Sequence, residues 1–227
     1  MHQPPVEQTR DSALRFCTAC FCVAILAGVS GPSHSATPPP TVTSSDAMPP
    51  ATLRAMPAAA FKMGSLSVKF NETTLGDILA VASTGMIAHQ GDAGESLHWL
   101  CFTKRNQGSA DRIWITSNEM GGERHLVTGM VAERLASARP TVDCPALPAA
   151  MAGLSLDHGI WLDTSPRALR LALGAPSLDS AGRQSYSYQG KMPGPCADGG
   201  SDVSNLLTVQ LIRKRIGMLR VAHAVSC

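Results

Sequence analysis

The sequence predicts an α+β fold, a tandem repeat of a helix packed on a small antiparallel sheet, with one disulfide in each unit. Three observations support this prediction. Two segments carry helix start and stop signals, several others alternate apolar and polar residues, and a cysteine closes each half of the chain. The halves are offset by about 90 residues, and they share a pattern rather than residue identities.

The N-terminal segment has the organisation of a secretory signal peptide. Two arginines precede fourteen uncharged, mostly apolar residues, Phe16–Val29, and small residues follow. A helix needs about 20 apolar residues to cross a bilayer, so this stretch is short for a permanent anchor. We predict a signal peptide over residues 1–36, with cleavage after Ser35 or Ala36. An uncleaved leader is the alternative, and it would be the chain's only membrane contact.

Three cysteines in the stretch FCTACFC lie inside this leader. The spacing of Cys17 and Cys20 also suits a redox motif or half a zinc site. A structural zinc site, however, needs four ligands on a folded scaffold, and a thioredoxin-like motif needs a strand-helix context. In an apolar leader, Cys17, Cys20 and Cys22 behave as small hydrophobic residues. We therefore predict no metal site and no cofactor.

Four cysteines follow the leader: Cys101, Cys144, Cys196 and Cys227. An even number of cysteines in an exported chain predicts two disulfides and a periplasmic or secreted location. Four cysteines allow three pairings, which the sequence alone does not decide. The two-unit organisation favours pairing between neighbours, Cys101 with Cys144 and Cys196 with Cys227.

Residues 37–60 contain six prolines among Thr, Ser and Ala, which predicts a disordered Pro/Ala/Thr-rich linker. Residues 61–148 and 149–227 then form the first and second α+β units, with a boundary in the sequence RPTVDCPALP. Without the leader, the chain keeps 17 Lys and Arg against 15 Asp and Glu. This balance argues against nucleic acid as a partner.

Local signals place the elements of the first unit. Thr73 or Thr74 can cap a helix that runs through Val81, and Gly85 follows it. The strands are then predicted by apolar and β-branched residues, at Met86–His89, Trp99–Thr103, Arg112–Thr116 and His125–Val131.

The second unit has the clearest helix. Ser165 suits the N-cap, Pro166 the first turn and Gly174 the C-terminal end, so the helix should run to Leu173. Alternating residues predict three strands with one buried face, around Tyr186–Tyr188, Leu207–Leu211 and Leu219–Val225.

The helix-entry region of the second unit also carries a motif. It runs approximately G-x-x-L-G-x-S/T, then a Leu-bearing helix, then L-G-x-P, and the matching residues are Gly159, Leu162, Thr164, Leu169, Leu173, Gly174 and Pro176. Asp163 stands where the motif has its second Gly. This motif resembles the signature of the β-lactamase-inhibitor-protein-like fold and of the related small lipoproteins of the outer-membrane assembly machinery.

The resemblance covers residues 159–227, and residues 64–145 only through the repeat pattern. It implies a small exported α+β module that is not an enzyme and binds other proteins, with tandem forms using the open face of the sheet. Fold alone does not fix function, so this implication is an expectation.

Protein binding is the function we predict, with an extracytoplasmic protein as partner. Arg112 and Trp114 fall on one strand face, and an exposed Trp beside Arg is typical of an interaction hot spot. Tyr186 and Tyr188 complete the predicted binding residues. The alternative for Trp114 is a structural position under a loop.

Two other functions remain open. A groove between the two units could bind a small ligand or support minor hydrolysis, with His158 next to Asp157 as the candidate residue. No serine lies in a G-x-S-x-G context, which disfavours hydrolysis. A purely structural role in the bacterial envelope is the third possibility.

Overall fold

The computed structural model describes residues 36–40, 49–193, 196 and 199–227. The signal peptide prediction, with Cys17, Cys20 and Cys22, lies outside these residues except at Ala36. In the described ranges the structure has eleven strands: β1 (Ala60–Met63), β2 (Leu66–Lys69), β3 (Ala88–Gln90), β4 (Leu97–Asn106), β5 (Ser109–Asn118), β6 (Gly129–Leu135), β7 (Leu154–Leu156), β8 (Leu178–Ser180), β9 (Arg183–Pro193), β10 (Gly200–Ile212) and β11 (Arg215–Ser226). Short 3₁₀ turns lie at Ala93–Glu95, Glu119–Gly121, Ala149–Met151 and Asp157–Gly159.

Two α-helices form where the local signals predict them. Helix α1 (Leu75–Ala82) begins after Thr74, whose hydroxyl accepts the backbone N–H of Asp77 while the Asp77 carboxylate accepts that of Thr74. Helix α2 (Pro166–Leu173) begins after Ser165, whose hydroxyl accepts the N–H of Ala168. Both caps supply hydrogen-bond partners to N–H groups in the first turn, which have no partner inside the helix.

Strands from both halves of the chain pair into one antiparallel sheet. Its eight strands follow the order β3-β4-β5-β6-β11-β10-β9-β8. The two halves meet where β6 pairs with β11, from Glu133 opposite Met218 to Gly129 opposite Ala222. The α+β class is confirmed, but the tandem repeat is not, because each half contributes to a shared sheet. Alternation shows that a strand has one buried face, but it does not show which strand lies beside it.

A second, three-stranded sheet follows the order β2-β1-β7, again antiparallel. Strand β1 pairs with β7 through Phe61 opposite Leu156 and Met63 opposite Leu154. A strand at the start of the predicted first unit, 61–148, is therefore paired with a strand of the predicted second unit, 149–227. Strand β6 also begins later than predicted, at Gly129, because a 3₁₀ turn and an irregular segment occupy the preceding residues.

One large core lies between the two sheets and the helices. Buried side chains from the eight-stranded sheet, such as Leu100, Ile115 and Tyr186, join those of α1, α2 and the small sheet in a single cluster. The face of the large sheet that carries these residues is called the inner face below. A smaller cluster occupies the opposite, outer face around Trp99, Trp114 and the disulfide of Cys101.

Both disulfides join neighbouring cysteines. Cys101 pairs with Cys144 and Cys196 with Cys227, with Cα–Cα distances of 4.6 and 5.3 Å. The favoured pairing is therefore confirmed. Disulfides of this kind are compatible with an extracytoplasmic compartment, where thiols are oxidised. In the part of the chain that the structure describes, no helix has the length and apolar character needed to cross a membrane.

The described parts of the predicted linker contact the fold. Pro39 is buried, and the backbone of Ala58 exchanges hydrogen bonds with the side chain of Asn205. A Pro-rich segment cannot build its own core, but its side chains can still pack on a surface that the domain provides. Disorder is thus the wrong description for these parts, whereas residues 41–48 lie outside the described ranges.

Candidate functional site

Two tryptophans lie side by side on the outer face of the large sheet. Trp99 is in β4 and Trp114 is in β5. Thr116, two residues after Trp114, is the residue of β5 that lies opposite Trp99. Side chains two residues apart along a strand share a face, so both indoles point outward. They are nonetheless only 2% and 3% exposed, because a segment of the chain covers them.

The covering segment is residues 36–40, which we call the N-terminal strap. The indole N–H groups of Trp99 and Trp114 both donate to the carbonyl oxygen of Thr37, each over 3.1 Å. Asp143 accepts two further bonds from the same residue, from its backbone N (2.6 Å) and its hydroxyl (2.7 Å). All the polar groups of one strap residue are therefore bound by three side chains. We call Trp99, Trp114 and Asp143 the tryptophan site.

A disulfide holds the loop of Asp143 against the sheet. Cys144 pairs with Cys101, which lies opposite Trp114 on β5. Thr103 strengthens this attachment, since its hydroxyl donates to the carbonyl of Cys144 and its backbone N–H donates to that of Pro145. The carboxylate that binds the strap is thus fixed to β4, which carries Trp99 and pairs with the strand of Trp114.

Hydrogen bonds keep Asp143 ionised. Burial alone would raise the pKa of Asp143, but the bonds that its carboxylate accepts from Thr37 and Thr141 lower that pKa to about 2. An ionised carboxylate accepts hydrogen bonds more strongly than a neutral group does. The site therefore offers two fixed donors and one charged acceptor to an extended backbone.

The strap continues beyond Thr37 as three prolines. Pro39 is buried, and with Pro40 it borders a cavity of about 280 Å³ on the outer face. Arg220 and Ala222 of β11 line the far side of this cavity. There is consequently room on the outer face for a segment longer or bulkier than the strap.

The predicted binding residues do not form one surface. Arg112 and Trp114 lie on the outer face, as expected from alternation. Tyr186 is opposite Leu207 on the inner face, is 0% exposed and donates its hydroxyl to Gln184. Tyr188 shares that face and is half-buried. Trp114 itself takes the position under a covering segment that was its alternative.

The region of His158 contains a cavity, and the carboxylate of Asp157 is bound to another segment. His158 borders a cavity of about 570 Å³ together with residues 52–56 and 172–176. The neighbouring carboxylate of Asp157 accepts the backbone N–H groups of Ala59 and Ala60. Within the described ranges, no hydrogen bond joins Asp157 to His158. Asp157 therefore fixes the start of β1 rather than the imidazole.

Sequence reasoning missed a stack of three imidazoles. His98 of β4 lies between His89 of β3 and His125, with ring centroids 4.2 and 4.0 Å apart. Burial lowers the pKa of His98, and the two neighbouring histidines lower it further. Among the residues that the structure describes, no group of three His, Cys, Asp or Glu side chains could hold a metal ion. His125 follows His98 only much later in the chain, and His89 faces His98 through strand pairing, so no spacing signal revealed the stack.

The residue that departs from the helix-entry motif keeps the backbone that a glycine would adopt. Asp163 has φ +73°, in the left-handed region that favours Gly. Its carboxylate pairs with Arg134 of β6, which also binds the buried carboxylate of Asp111 through two hydrogen bonds. The substitution of Asp for Gly thus links the motif to the large sheet.

Comparison of the chain with protein-family models, with curated proteins and with solved structures gives no match. The resemblance of residues 159–227 therefore stays a prediction, and the geometry of the tryptophan site carries the functional argument.

Proposed function

We propose that this protein is an exported, non-enzymatic module that binds another extracytoplasmic protein by holding an extended, Thr/Pro-rich segment of it in the tryptophan site. The observation that carries this proposal is the convergence of two indole N–H groups, of Trp99 and Trp114, on one backbone carbonyl. Backbone groups are common to all extended segments, so such a site binds a class of peptide rather than one side chain.

The chemistry matches a known mode of peptide recognition. Pro-rich segments adopt an extended helix that has no internal hydrogen bonds, and aromatic surfaces bind it at a low entropic cost. In this chain the sequence Thr37-Pro38-Pro39-Pro40 occupies the site, which supports the choice of a Thr/Pro-rich segment. A partner segment of the same kind would replace the strap, and the adjoining cavity would accommodate its continuation.

Peptide binding to a variant with a weakened strap tests the proposal. Pro39→Asp places a charge at a buried strap position, so it should release the strap from the site. The probe is a synthetic peptide, acetyl-ATPPPTV-amide, which copies residues 36–42. We expect saturable binding by calorimetry to the variant, and weaker binding to the wild type because its own strap competes.

Conservative variants identify the contact that carries binding. Trp114→Phe keeps an aromatic ring but removes one indole N–H, which should weaken peptide binding about fivefold. Trp161 provides the matched control, because its buried indole N–H has no hydrogen-bond partner among the described residues. Trp161→Phe should leave the affinity unchanged. The absence of saturable binding, or equal weakening by both variants, would refute the proposal.

A further inference from the structure

The backbone nitrogen of Thr37 occupies a position suited to a charged amine. It lies 2.6 Å from Asp143 Oδ2, and the Thr37 hydroxyl lies 2.7 Å from the same oxygen. Because the carboxylate of Asp143 is ionised, a hydrogen bond that it accepts is short whether the donor is an amide or an ammonium group. An ammonium group on Thr37 would keep this contact and add an opposite charge to it.

Among the residues that the structure describes, Asp143 has no cationic partner. In the described ranges, the ion pairs of the chain involve other acids, and no Lys, Arg or His side chain pairs with Asp143. Its carboxylate is half-buried at the edge of an apolar cluster that includes Trp99 and Trp114. A partly buried carboxylate without a cation is stabilised by an opposite charge at this distance.

Thr37 is the residue that follows the predicted leader. Ala36 is small, as the residue before a signal-peptide cleavage site should be, and it packs beside the tryptophans. We infer that the chain is cleaved between Ala36 and Thr37, and that the carboxylate of Asp143 binds the new α-ammonium group of Thr37. The geometry thus selects one of the two cleavage positions that the sequence left open.

The chemical step is hydrolysis of one peptide bond by the leader peptidase of the export route. Water adds to the carbonyl of Ala36, the C–N bond to Thr37 breaks, and the products are a carboxylate on Ala36 and an amine on Thr37. The amine takes up a proton at neutral pH and pairs with Asp143. Processing therefore adds a charge pair to the hydrogen bonds that already hold the strap. This inference rests on the leader prediction and not on peptide binding in trans.

The first test reads the N-terminus of the processed protein. The full-length precursor is expressed in a bacterium that exports it, and the extracytoplasmic protein is analysed by N-terminal sequencing and intact mass. We expect Thr37 as the first residue. A first residue of Ala36, or any other position, would overturn the inference and leave the proposed function standing.

The second test measures the coupling between the amine and the carboxylate. A Gly-Ser insertion after Ala36 gives a processed chain in which Thr37 keeps an amide N–H. Asp143→Asn is introduced with and without this insertion, with Asp92→Asn as a control at an exposed residue whose side chain makes no cap hydrogen bond. We expect Asp143→Asn to lower the melting temperature about 2 °C more when Thr37 is the first residue.

The pH dependence separates charge pairing from a steric effect of the insertion. An α-amino group has an ordinary pKa of about 8, so the excess effect of Asp143→Asn should disappear by about pH 10. Equal effects of Asp143→Asn in both chains at pH 7, or an excess that persists at pH 10, would contradict ammonium binding.

Discussion

Replacing Asp143 with Asn should weaken the binding of the strap to the fold and lower the free energy of unfolding. The pKa of this carboxyl falls from an ordinary 3.8 to about 2, because Thr37 and Thr141 donate to it against the opposing effect of burial. A shift of this size corresponds to at most about 2.5 kcal/mol. Solvent screens a group at the surface, so we expect about 1 kcal/mol. In a domain of this size, that lowers the melting temperature by about 2–4 °C.

The sign of the pH dependence follows from the lowered pKa. The stabilisation from Asp143 is complete above the unfolded-state pKa of about 4 and is lost as the pH falls from there towards 2. Thermal unfolding of the exported protein, followed by circular dichroism at pH 7 and pH 2.5, measures it. Asp143→Asn should differ from the wild type at pH 7 and much less at pH 2.5, whereas Asp92→Asn should match the wild type at both. A constant difference between the Asp143→Asn and wild-type proteins would refute the electrostatic account.

Three further predictions concern the scaffold. The double substitution Cys101→Ser/Cys144→Ser opens a loop with a sequence separation of 43. It should lower the free energy of unfolding, measured with denaturant, by about 4 kcal/mol, and a change below about 1 kcal/mol would contradict a stabilising disulfide. Arg134→Met leaves the 1% exposed carboxylate of Asp111 unpaired and should lower the free energy of unfolding by about 3–5 kcal/mol. Adding Asp111→Leu should restore most of this free energy, and no restoration would argue against the ion pair as the cause. Burial lowers the pKa of His223, so the free energy of unfolding should decrease as the pH falls below about 6.5. The decrease should be less steep in His223→Gln, and identical pH slopes for the variant and the wild type would contradict this prediction.

Local chemistry explains why the helices were predictable. The caps of α1 and α2 depend on residues within four positions of the helix start, such as Thr74 with Asp77 and Ser165 with Pro166. The disulfide pairing followed from the order of elements along the chain. Alternation also placed Trp114 and Arg112 on one face correctly, since side-chain direction depends only on the strand period.

Non-local packing explains what the sequence did not show. The pairing of β6 with β11 joins residues about 90 positions apart and depends on the whole set of strands. Tyr186 was expected at the surface because alternation marks two faces without identifying which one the helices cover. The strap escaped prediction for a related reason: its prolines indicate that it has no core of its own, not that Trp99 and Trp114 bind it.

The proposed function requires the tryptophan site to bind an extended Thr/Pro-rich segment. Its most direct test is the ¹H–¹⁵N spectrum of the three indole N–H groups in the Pro39→Asp variant, before and after addition of acetyl-ATPPPTV-amide. The resonances of Trp99 and Trp114 should move to their wild-type positions, while that of Trp161 stays in place. Three resonances that do not move at millimolar peptide, or equal movement of all three, would rule out peptide binding at this site.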